Sequence, residues 1–424
     1  MSAQVNEVVE HVFRQESGKL AASLARAFGL QKLGVVEDIV QDTLVAALNT
    51  WALRGIPENP TAWLHRVAKN KAIDWIRHRN RQSRDEIQLL PGMQAASRTL
   101  EIEQNFLSWE IGDSQLRMMF ACCHPGIPVE SQIALVLKTL CGFSVREIAS
   151  AFLAQPDTIE KRLGRARKYF RDHHVELEVP SREAIHERLG VVLRSLYLLF
   201  NEGYKRTDSD GLINRDLCLE ALRLALLLAE HPDVGSPEAK ALVALMTFHA
   251  ARFETRTNDH GEIVLLSEQD RSGWNKELIR NGFYYFRLSE PDIYTSSYHI
   301  EAAIQSMHII APSFEETNWA AILGLYKRLY SVNPSPIVAM HMAVSTSRVH
   351  GPEAAIDLLL RQPLPDYYLY HAILGHAYEE AGRSEEAAGA YKRAAELTMN
   401  SRERTLLQEK IMSLRDRLKP VVAI

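Results

Sequence analysis

The sequence predicts an all-α protein, and three observations support this fold class. Apolar residues recur at helical spacing through most of the 424 residues, and convincing alternating strand patterns are few. Prolines and glycines interrupt the helical pattern at short intervals, as expected for helices joined by tight connections. Hydrophobic residues make up 46% of the chain and charged residues 24%, which is typical of a globular protein. The length allows about three domains.

Breaks in the helical pattern divide the chain into five predicted segments. A first helical block covers 1–81, and a linker covers 82–113. A second helical block covers 114–178. A long helical region at 181–330 then precedes a repeat-like region at 331–424.

The cysteines and the N terminus indicate a cytoplasmic protein. Four cysteines do not make a disulfide framework. Cys122, Cys123 and His124 could suggest a metal site, but consecutive residues do not easily close a tetrahedron, so small buried residues before Pro125 are favoured. We therefore predict no metal and no cofactor. The N terminus lacks a signal-peptide pattern and no apolar run is long enough to span a bilayer, so we expect no membrane partner.

The net charge of -4 hides two basic islands, each of which could contact a polyanion. The first contains Arg66, Lys69, Lys71, Arg77, Arg79, Arg81 and Arg84 beside one acid, Asp74. The second contains Lys161, Arg162, Arg165, Arg167, Lys168 and Arg171 and no acid.

The first island lies on a predicted amphipathic helix that begins near Pro60 and ends near Asn80. One face carries Leu64, Val67, Ala68, Ala72, Trp75 and Ile76, and the other carries Arg66, Lys69, Asn70, Arg77 and Asn80. Ile73 falls among the polar residues, so we expect it to be exposed and to pack against a base or sugar. The polar face suits phosphates and base edges. A solvated basic face is an equal alternative for this helix alone.

The second island predicts a helix-turn-helix over 143–171. Ser144 and Glu147 form a capping box that starts one helix, and Pro156 can open the next. The buried face of the second helix carries Ile159, Leu163, Ala166 and Phe170, and Lys161, Arg165 and Lys168 point the other way. An ordinary helical hairpin with a charged exterior is the alternative. The capping box and the polarity together favour DNA binding.

Three motifs in this order resemble the extracytoplasmic-function sigma factors of bacterial RNA polymerase. EDIVQDTLVAALNTW (37–51) resembles the polymerase-binding helix, NPTAWLHRVAKNKAIDWIRHRNR (59–81) the promoter −10 segment, and TIEKRLGRARKYFR (158–171) the −35 recognition helix. RGIPENPTAWL, MMFACCHPGIP and LYLLFNEGY further resemble a subgroup with a long C-terminal extension of tetratricopeptide-like helices.

The resemblance implies a promoter-specificity subunit with three sets of site residues. Its partners would be core RNA polymerase, through the clamp helices and flap, and double-stranded and melted promoter DNA. The −10 set is Arg66, Lys69, Asn70, Ile73, Arg77, Asn80 and Arg81, with Trp51 and Trp63 near a loop at 52–62 that would capture a flipped base. The −35 set is Thr158, Lys161, Arg162, Arg165, Arg167 and Lys168. The polymerase set is Asp38, Ile39, Gln41, Asp42 and Leu44.

The C-terminal half carries a tetratricopeptide pattern over 367–400. Its signature residues are Leu374, Gly375, Tyr378, Ala387, Tyr391 and Ala394. Residues 335–360 read as a degenerate second pair. A concave surface for a protein or peptide and a purely structural stack are equal alternatives.

One further stretch, LLSEQDRSGWNKELI at 265–279, concentrates Glu268, Asp270, Arg271 and Trp274. It could be the rim of a ligand pocket or a helix start with internal ion pairs. No catalytic motif is present, so we predict no enzyme. The second interpretation of the whole chain is a helical-repeat adaptor or a DNA-binding regulator that does not engage polymerase.

Overall fold

The all-α prediction is confirmed. The computed structural model describes residues 2–82, 115, 117–152, 154–173, 175, 182–205, 215–232, 234–258, 262–290 and 295–418. Within these ranges the regular secondary structure is helical, apart from an isolated antiparallel bridge between Thr257 and Ile263. No helix in the described part of the chain is long and apolar enough to cross a membrane.

The chain divides into two compact units. Unit 1 contains the described residues of Met1–Gly203 and Arg215–Gly235, and unit 2 contains those of Tyr204–Asn214 and Ser236–Ile424. Unit 1 therefore holds both predicted basic helices and also the first two helices of the C-terminal region.

Unit 1 consists of helices that vary from one turn to several turns in length. They are α1 (Ser2–Phe28), a 3₁₀ turn (Leu30–Lys32), α2 (Leu33–Arg54), α3 (Pro60–Gln82), α4 (Val129–Thr139), α5 (Val145–Ala151), α6 (Pro156–Asp172), α7 (Arg182–Lys205, which continues into unit 2) and α8 (Arg215–Glu230). Residues 117–122 are also helical.

The first three helices pack on one another because α2 buries a residue at every third or fourth position. This stripe consists of Leu33, Val36, Ile39, Val40, Thr43, Ala47 and Trp51. Helix α3 begins at Pro60, as the sequence predicts. Asn59 Oδ1 precedes it and accepts a hydrogen bond of 2.9 Å from Ala62 N, which satisfies one of the free amides of the first turn.

The predicted apolar face of α3 is close to the observed one, except at Ile73. The prediction that Ile73 is exposed and packs against a base or sugar is wrong. Leu64, Ala68, Ala72 and Ile76 are buried, whereas Val67 and Trp75 are half-buried. Ile73 is only 8% exposed, so it belongs to the core and not to the outer surface. Helix α3 packs against both α1 and α2, and contact on two flanks makes its buried arc wider than a single stripe.

The second helical block forms the helices that the sequence predicts. Ser144 N donates to Glu147 Oε2 at 2.7 Å and Glu147 N donates to Ser144 Oγ at 3.2 Å, which confirms the capping box at the start of α5. Helix α6 begins at Pro156. It buries Ile159, Leu163, Ala166 and Phe170.

The parts of unit 1 are joined by close backbone contact and by hydrogen bonds. Gly18 of α1 lies against the Leu140 carbonyl, where an added Cβ would come within 1.9 Å of the oxygen, so no other residue fits there unchanged. Elsewhere in unit 1, Arg188 Nη1 of α7 donates to Phe120 O at 3.1 Å. Arg223 Nη2 of α8 donates to Gln115 Oε1 at 2.9 Å.

Unit 2 is a succession of helices in which chain neighbours pack on each other. They are α9 (Pro237–Ala250), α10 (Lys276–Leu288), α11 (Ser297–Ile310), α12 (Trp319–Val332), α13 (Pro336–His350), α14 (Pro352–Arg361), α15 (Tyr368–Glu380), α16 (Ser384–Leu397) and α17 (Ser401–Leu418), with 3₁₀ turns at Phe253–Thr255 and Arg271–Gly273. In the α15–α16 hairpin, an added Cβ on Gly375 would lie 2.7 Å from Tyr391 Cδ1, so the small residue permits the close approach.

Candidate nucleic-acid interface

The outer face of α3 presents cationic and amide side chains. Arg66, Asn70 and Arg77 are exposed, and Lys69 is half-buried. Arg77 Nη1 lies 3.9 Å from Asp74 Oδ1, with both side chains more than half exposed. Exposed ion pairs of this kind are weak, so Arg77 can exchange this carboxylate for a phosphate. The side chains of the predicted contacts Asn80 and Arg81 lie outside the described residues.

A buried hydrogen bond holds the start of α3 against α1. His65 Nε2 lies 2.8 Å from Glu16 Oε2, and Lys19 Nζ lies 2.8 Å from Glu16 Oε1. Burial opposes ionisation of Glu16, but the hydrogen bonds from His65 and Lys19 outweigh it and lower the pKa of this carboxyl. Glu16 therefore stays charged at neutral pH. The pair fixes how α3 presents its basic face.

The two tryptophans near the predicted base-capturing loop pack on each other. Their ring centroids are 5.4 Å apart in an edge-to-face arrangement. Trp51 is 1% exposed because it ends the buried stripe of α2, so the expectation that it is open to a flipped base is wrong. Trp63 is half-buried. The sequence pattern does not single out Leu53, which lies at the start of this loop. Leu53 is not part of the buried stripe of α2, and its side chain is 88% exposed.

The outer face of α6 is basic and open. Thr158, Lys161, Arg165 and Lys168 are exposed, and an added Cβ on Gly164 would meet no atom within 4 Å. Nothing from the rest of the described chain covers the middle of this face. A flat, cationic helix surface of this kind can enter a major groove.

The two remaining cations of the predicted −35 set are turned toward the protein. The Arg162 guanidinium lies 5.2 Å from the centroid of the Phe152 ring and is half-buried. Arg167 Nη2 forms an ion pair of 2.7 Å with Glu37 Oε2 of α2. In this conformation Arg167 therefore links α6 to α2, and a phosphate would have to compete with Glu37 for it.

The predicted polymerase-docking helix, α2, has an exposed strip that is opposite to its buried stripe. Asp38, Gln41 and Asp42 are exposed. Leu44 is half-buried. Ile39 is only 5% exposed, so the prediction that Ile39 is accessible to polymerase is wrong. Val45, which the sequence did not single out, is 53% exposed and lies one turn after Gln41.

The cysteines of unit 1 lie in the core. Cys122, Cys123 and Cys141 are free and buried. Burial raises the pKa of the Cys123 thiol to about 12, which keeps it protonated and unreactive at neutral pH. Among the described residues, no three or more histidine, cysteine, aspartate and glutamate side chains are arranged to hold a metal ion.

Comparisons with known proteins agree with the position of the first basic face. Residues 14–82, which include α2 and α3, match Sigma-70 region 2, and residues 188–290 match DUF6596, a family of unknown function. A protein of Rhizobium meliloti (strain 1021), the uncharacterized protein R00370, is 34% identical over 380 residues, which covers 88% of each chain. No solved structure matches the chain. The chain therefore belongs to the same protein family as R00370, and its N-terminal part is a sigma-70 region 2 domain.

Proposed function

We propose that this protein is a sigma factor of the extracytoplasmic-function type, which binds core RNA polymerase, recognises the promoter −35 and −10 elements and promotes transcription initiation. The observation that carries the proposal is the coincidence of two features in residues 14–82. This segment matches Sigma-70 region 2, and its helix α3 turns Arg66, Asn70 and Arg77 outward. As a polymerase subunit it would act in the cytoplasm, and we assign it no catalytic role.

The −10 contact is assigned to α3 and to the loop before it. Arg66, Lys69, Asn70 and Arg77 would hold the backbone and base edges of the opened strand. Exposed Leu53 gives this end of the surface an apolar side chain that could support an unstacked base, a role that buried Trp51 and Ile73 cannot fill in this conformation.

The −35 contact is assigned to α5 and α6 as a helix-turn-helix. Lys161, Arg165 and Lys168 lie on the open face of α6, together with Thr158. Arginine and lysine on such a face pair with guanine edges and phosphates in the major groove. Arg167 would join the phosphate contacts only after leaving Glu37.

Polymerase docking is assigned to the exposed strip of α2. Asp38, Gln41 and Asp42 supply polar contacts, and Val45 supplies an apolar one. Lys71 Nζ of α3 lies 3.6 Å from Asp42 Oδ2, so this strip adjoins the basic face. For the helix hairpins of unit 2 we propose tetratricopeptide-like repeats that bind a protein or peptide partner.

Reconstituted transcription tests the proposal. The full chain is added to bacterial core RNA polymerase with sheared genomic DNA from the same source, and the 5′ ends of the transcripts are sequenced. We expect discrete start sites that core polymerase alone does not give, and fewer transcripts with Arg66→Ala. Arg194→Ala, which removes an exposed arginine from α7, is the matched control and should have no effect. Transcripts no more frequent than with core alone would contradict the proposal.

The second candidate, a DNA-binding regulator that does not engage polymerase, is favoured by the open basic face of α6 taken alone. A pull-down separates the two functions. A sigma factor should retain core polymerase, and Asp42→Arg on the exposed strip of α2 should abolish the retention while leaving DNA binding by α6 intact. Retention of DNA without polymerase would favour the regulator.

A further inference from the structure

Unit 2 buries a cluster of arginine and histidine side chains that the proposed function does not use. Arg252, which follows α9, is 7% exposed, and His308 of α11 is also 7% exposed. Arg271, in the 3₁₀ turn at the centre of the stretch LLSEQDRSGW, and Arg256 are half-buried. Burying a guanidinium away from water is costly unless an anion or good hydrogen-bond acceptors compensate for the lost hydration.

The compensation found in the chain is neutral. Arg252 Nε donates to Gln269 Oε1 at 3.2 Å, and its Nη1 lies 3.5 Å from Gln305 Oε1. Arg271 Nη1 donates to the carbonyls of His308 and Ala311. Among the described residues, Arg252, Arg256 and Arg271 form no ion pair with a carboxylate.

The acids of the LLSEQDRSGW stretch do not supply the missing charge, so the internal ion pairs considered from the sequence are not present. Asp270 Oδ1 accepts from Ser272 N at 2.8 Å and caps the 3₁₀ turn. Glu268 Oε2 lies 3.4 Å from Leu265 N. The charge of Glu315, an exposed side chain outside this stretch, acts on Arg271 without a direct ion pair and favours its protonated form. The two acids of this stretch thus accept hydrogen bonds from backbone amides, while its arginine and tryptophan point inward.

Polar atoms that lack a partner occur on neighbouring side chains of this cluster. Trp274 is 3% exposed, and the Arg271 and Arg252 guanidinium groups lie 4.8 and 5.6 Å from the centroid of its ring. Trp274 Nε1, Arg271 Nη2 and His308 Nδ1 are buried, and none has a hydrogen-bond partner in the described part of the chain. Buried polar groups nearly always have partners, and Trp274 Nε1 and Arg271 Nη2 are both N–H donors, so the pair indicates an acceptor at this place. The two cation–π contacts offset only part of the cost of burial.

The arginines of the cluster disfavour further positive charge at this place. Burial, with the charges of Arg252 and Arg271, lowers the pKa of His308 to about 4, so this imidazole is neutral at pH 7. Burial and the neighbouring Arg256 also lower the pKa of Arg252. An anion at this position would relieve the repulsion among the three arginines.

We propose that Arg252, Arg271 and Trp274 form a binding site for a small oxyanion of the phosphate class, either inorganic phosphate or the phosphate group of a small metabolite. Guanidinium groups match phosphate oxygens in fork geometry, and a tetrahedral oxyanion offers acceptors to donors that approach from several directions. The site lies in unit 2, whereas the residues assigned to DNA and to polymerase lie in unit 1.

Thermal unfolding of the full chain, with titration calorimetry, tests the site. Sodium phosphate is compared with sodium chloride and sodium acetate at equal ionic strength. We expect phosphate alone to raise the unfolding temperature in a saturable manner. Arg271→Gln should raise the half-saturating phosphate concentration at least about ten-fold, since a charged hydrogen-bond donor is lost. Arg280→Gln, which removes an exposed arginine from α10, should leave it unchanged.

Trp274→Phe keeps the buried ring but removes the unpartnered Nε1 donor, so it decides the question if Arg271→Gln does not fold. It should also weaken phosphate binding. Glycerol phosphate, measured beside inorganic phosphate, separates the two sources, since tighter binding of the ester indicates a metabolite and tighter binding of the free ion indicates phosphate itself. A phosphate effect no larger than that of chloride or acetate, or one equal in wild type, Arg271→Gln and Trp274→Phe, would overturn the proposal.

Discussion

Arg165 is the arginine of α6 that is best placed to read a base, because its side chain is exposed and is held only by a 3.3 Å hydrogen bond from its Nε to Lys161 O. We predict that Arg165→Ala weakens binding to the preferred −35 duplex by about 1–3 kcal/mol and relaxes the sequence preference at one position. Lys69→Ala should instead weaken promoter binding uniformly and reduce the salt dependence by about one counterion.

Binding titrations at two salt concentrations measure both effects, on promoter DNA that contains the −35 and −10 elements and on singly substituted versions of it. Arg194→Ala again serves as the control for loss of one exposed positive charge. If Arg165→Ala and Lys69→Ala reduce affinity by the same factor on every duplex, Arg165 contacts phosphates and does not read bases.

Three single residues differ from their predicted positions. The family resemblance places Trp51 and Ile39 at contact surfaces, yet both belong to the buried stripe of α2. The spacing of three and four residues along α2 is enough to predict their burial. Ile73 is different, since its burial depends on α3 having two neighbours, which the pattern of one helix cannot reveal.

At the scale of the element, local chemistry predicted helix starts well. The capping box at Ser144 and the prolines that open α3 and α6 act within one turn, so their effect does not depend on the rest of the fold. The Arg252 cluster could not be predicted in this way. Arg271 donates a hydrogen bond to the carbonyl of Ala311, 40 residues further along the chain. The spacing of apolar residues within a helix cannot predict a contact between residues so far apart in sequence.

The α15–α16 hairpin gives a test of helix packing with an internal control. Gly375→Ala would place Cβ 2.7 Å from Tyr391 Cδ1, and the Tyr391 side chain is 1% exposed. We predict that this change lowers the free energy of unfolding of unit 2 by about 1–3 kcal/mol. Gly389→Ala lies on α16 of the same hairpin, where an added Cβ meets nothing within 4 Å.

Gly389→Ala should therefore stabilise the hairpin by up to about 1 kcal/mol, through the better helix propensity of alanine. Urea unfolding followed by circular dichroism measures both variants. The two changes in the free energy of unfolding need not be equal in size. A Gly375→Ala protein as stable as wild type would mean that α15 can move away from α16 at little energetic cost.

At the scale of the whole molecule, unit 1 continues beyond the two basic helices. Helices α7 and α8 bond to residues 115–120 through Arg188 and Arg223, and α8 packs against α1. Their inner faces bury large apolar side chains, among them Leu196 and Phe200 of α7. The part of the chain that carries the two basic helices therefore shares its core with the first helices of the C-terminal region.

This shared core predicts different behaviour for two truncated chains. A fragment that ends at Gly235 keeps α7 and α8 and should unfold cooperatively, whereas a fragment that ends at Val179 loses both helices. The shorter fragment also leaves Gln115 without its partner Arg223 and uncovers α1, so we expect it to unfold at a clearly lower temperature or to aggregate. Thermal scans by circular dichroism compare the two, with the full chain as reference. If both fragments unfold at the same temperature, α7 and α8 contribute nothing to the core of unit 1, and the domain that carries the two basic helices ends before Arg182.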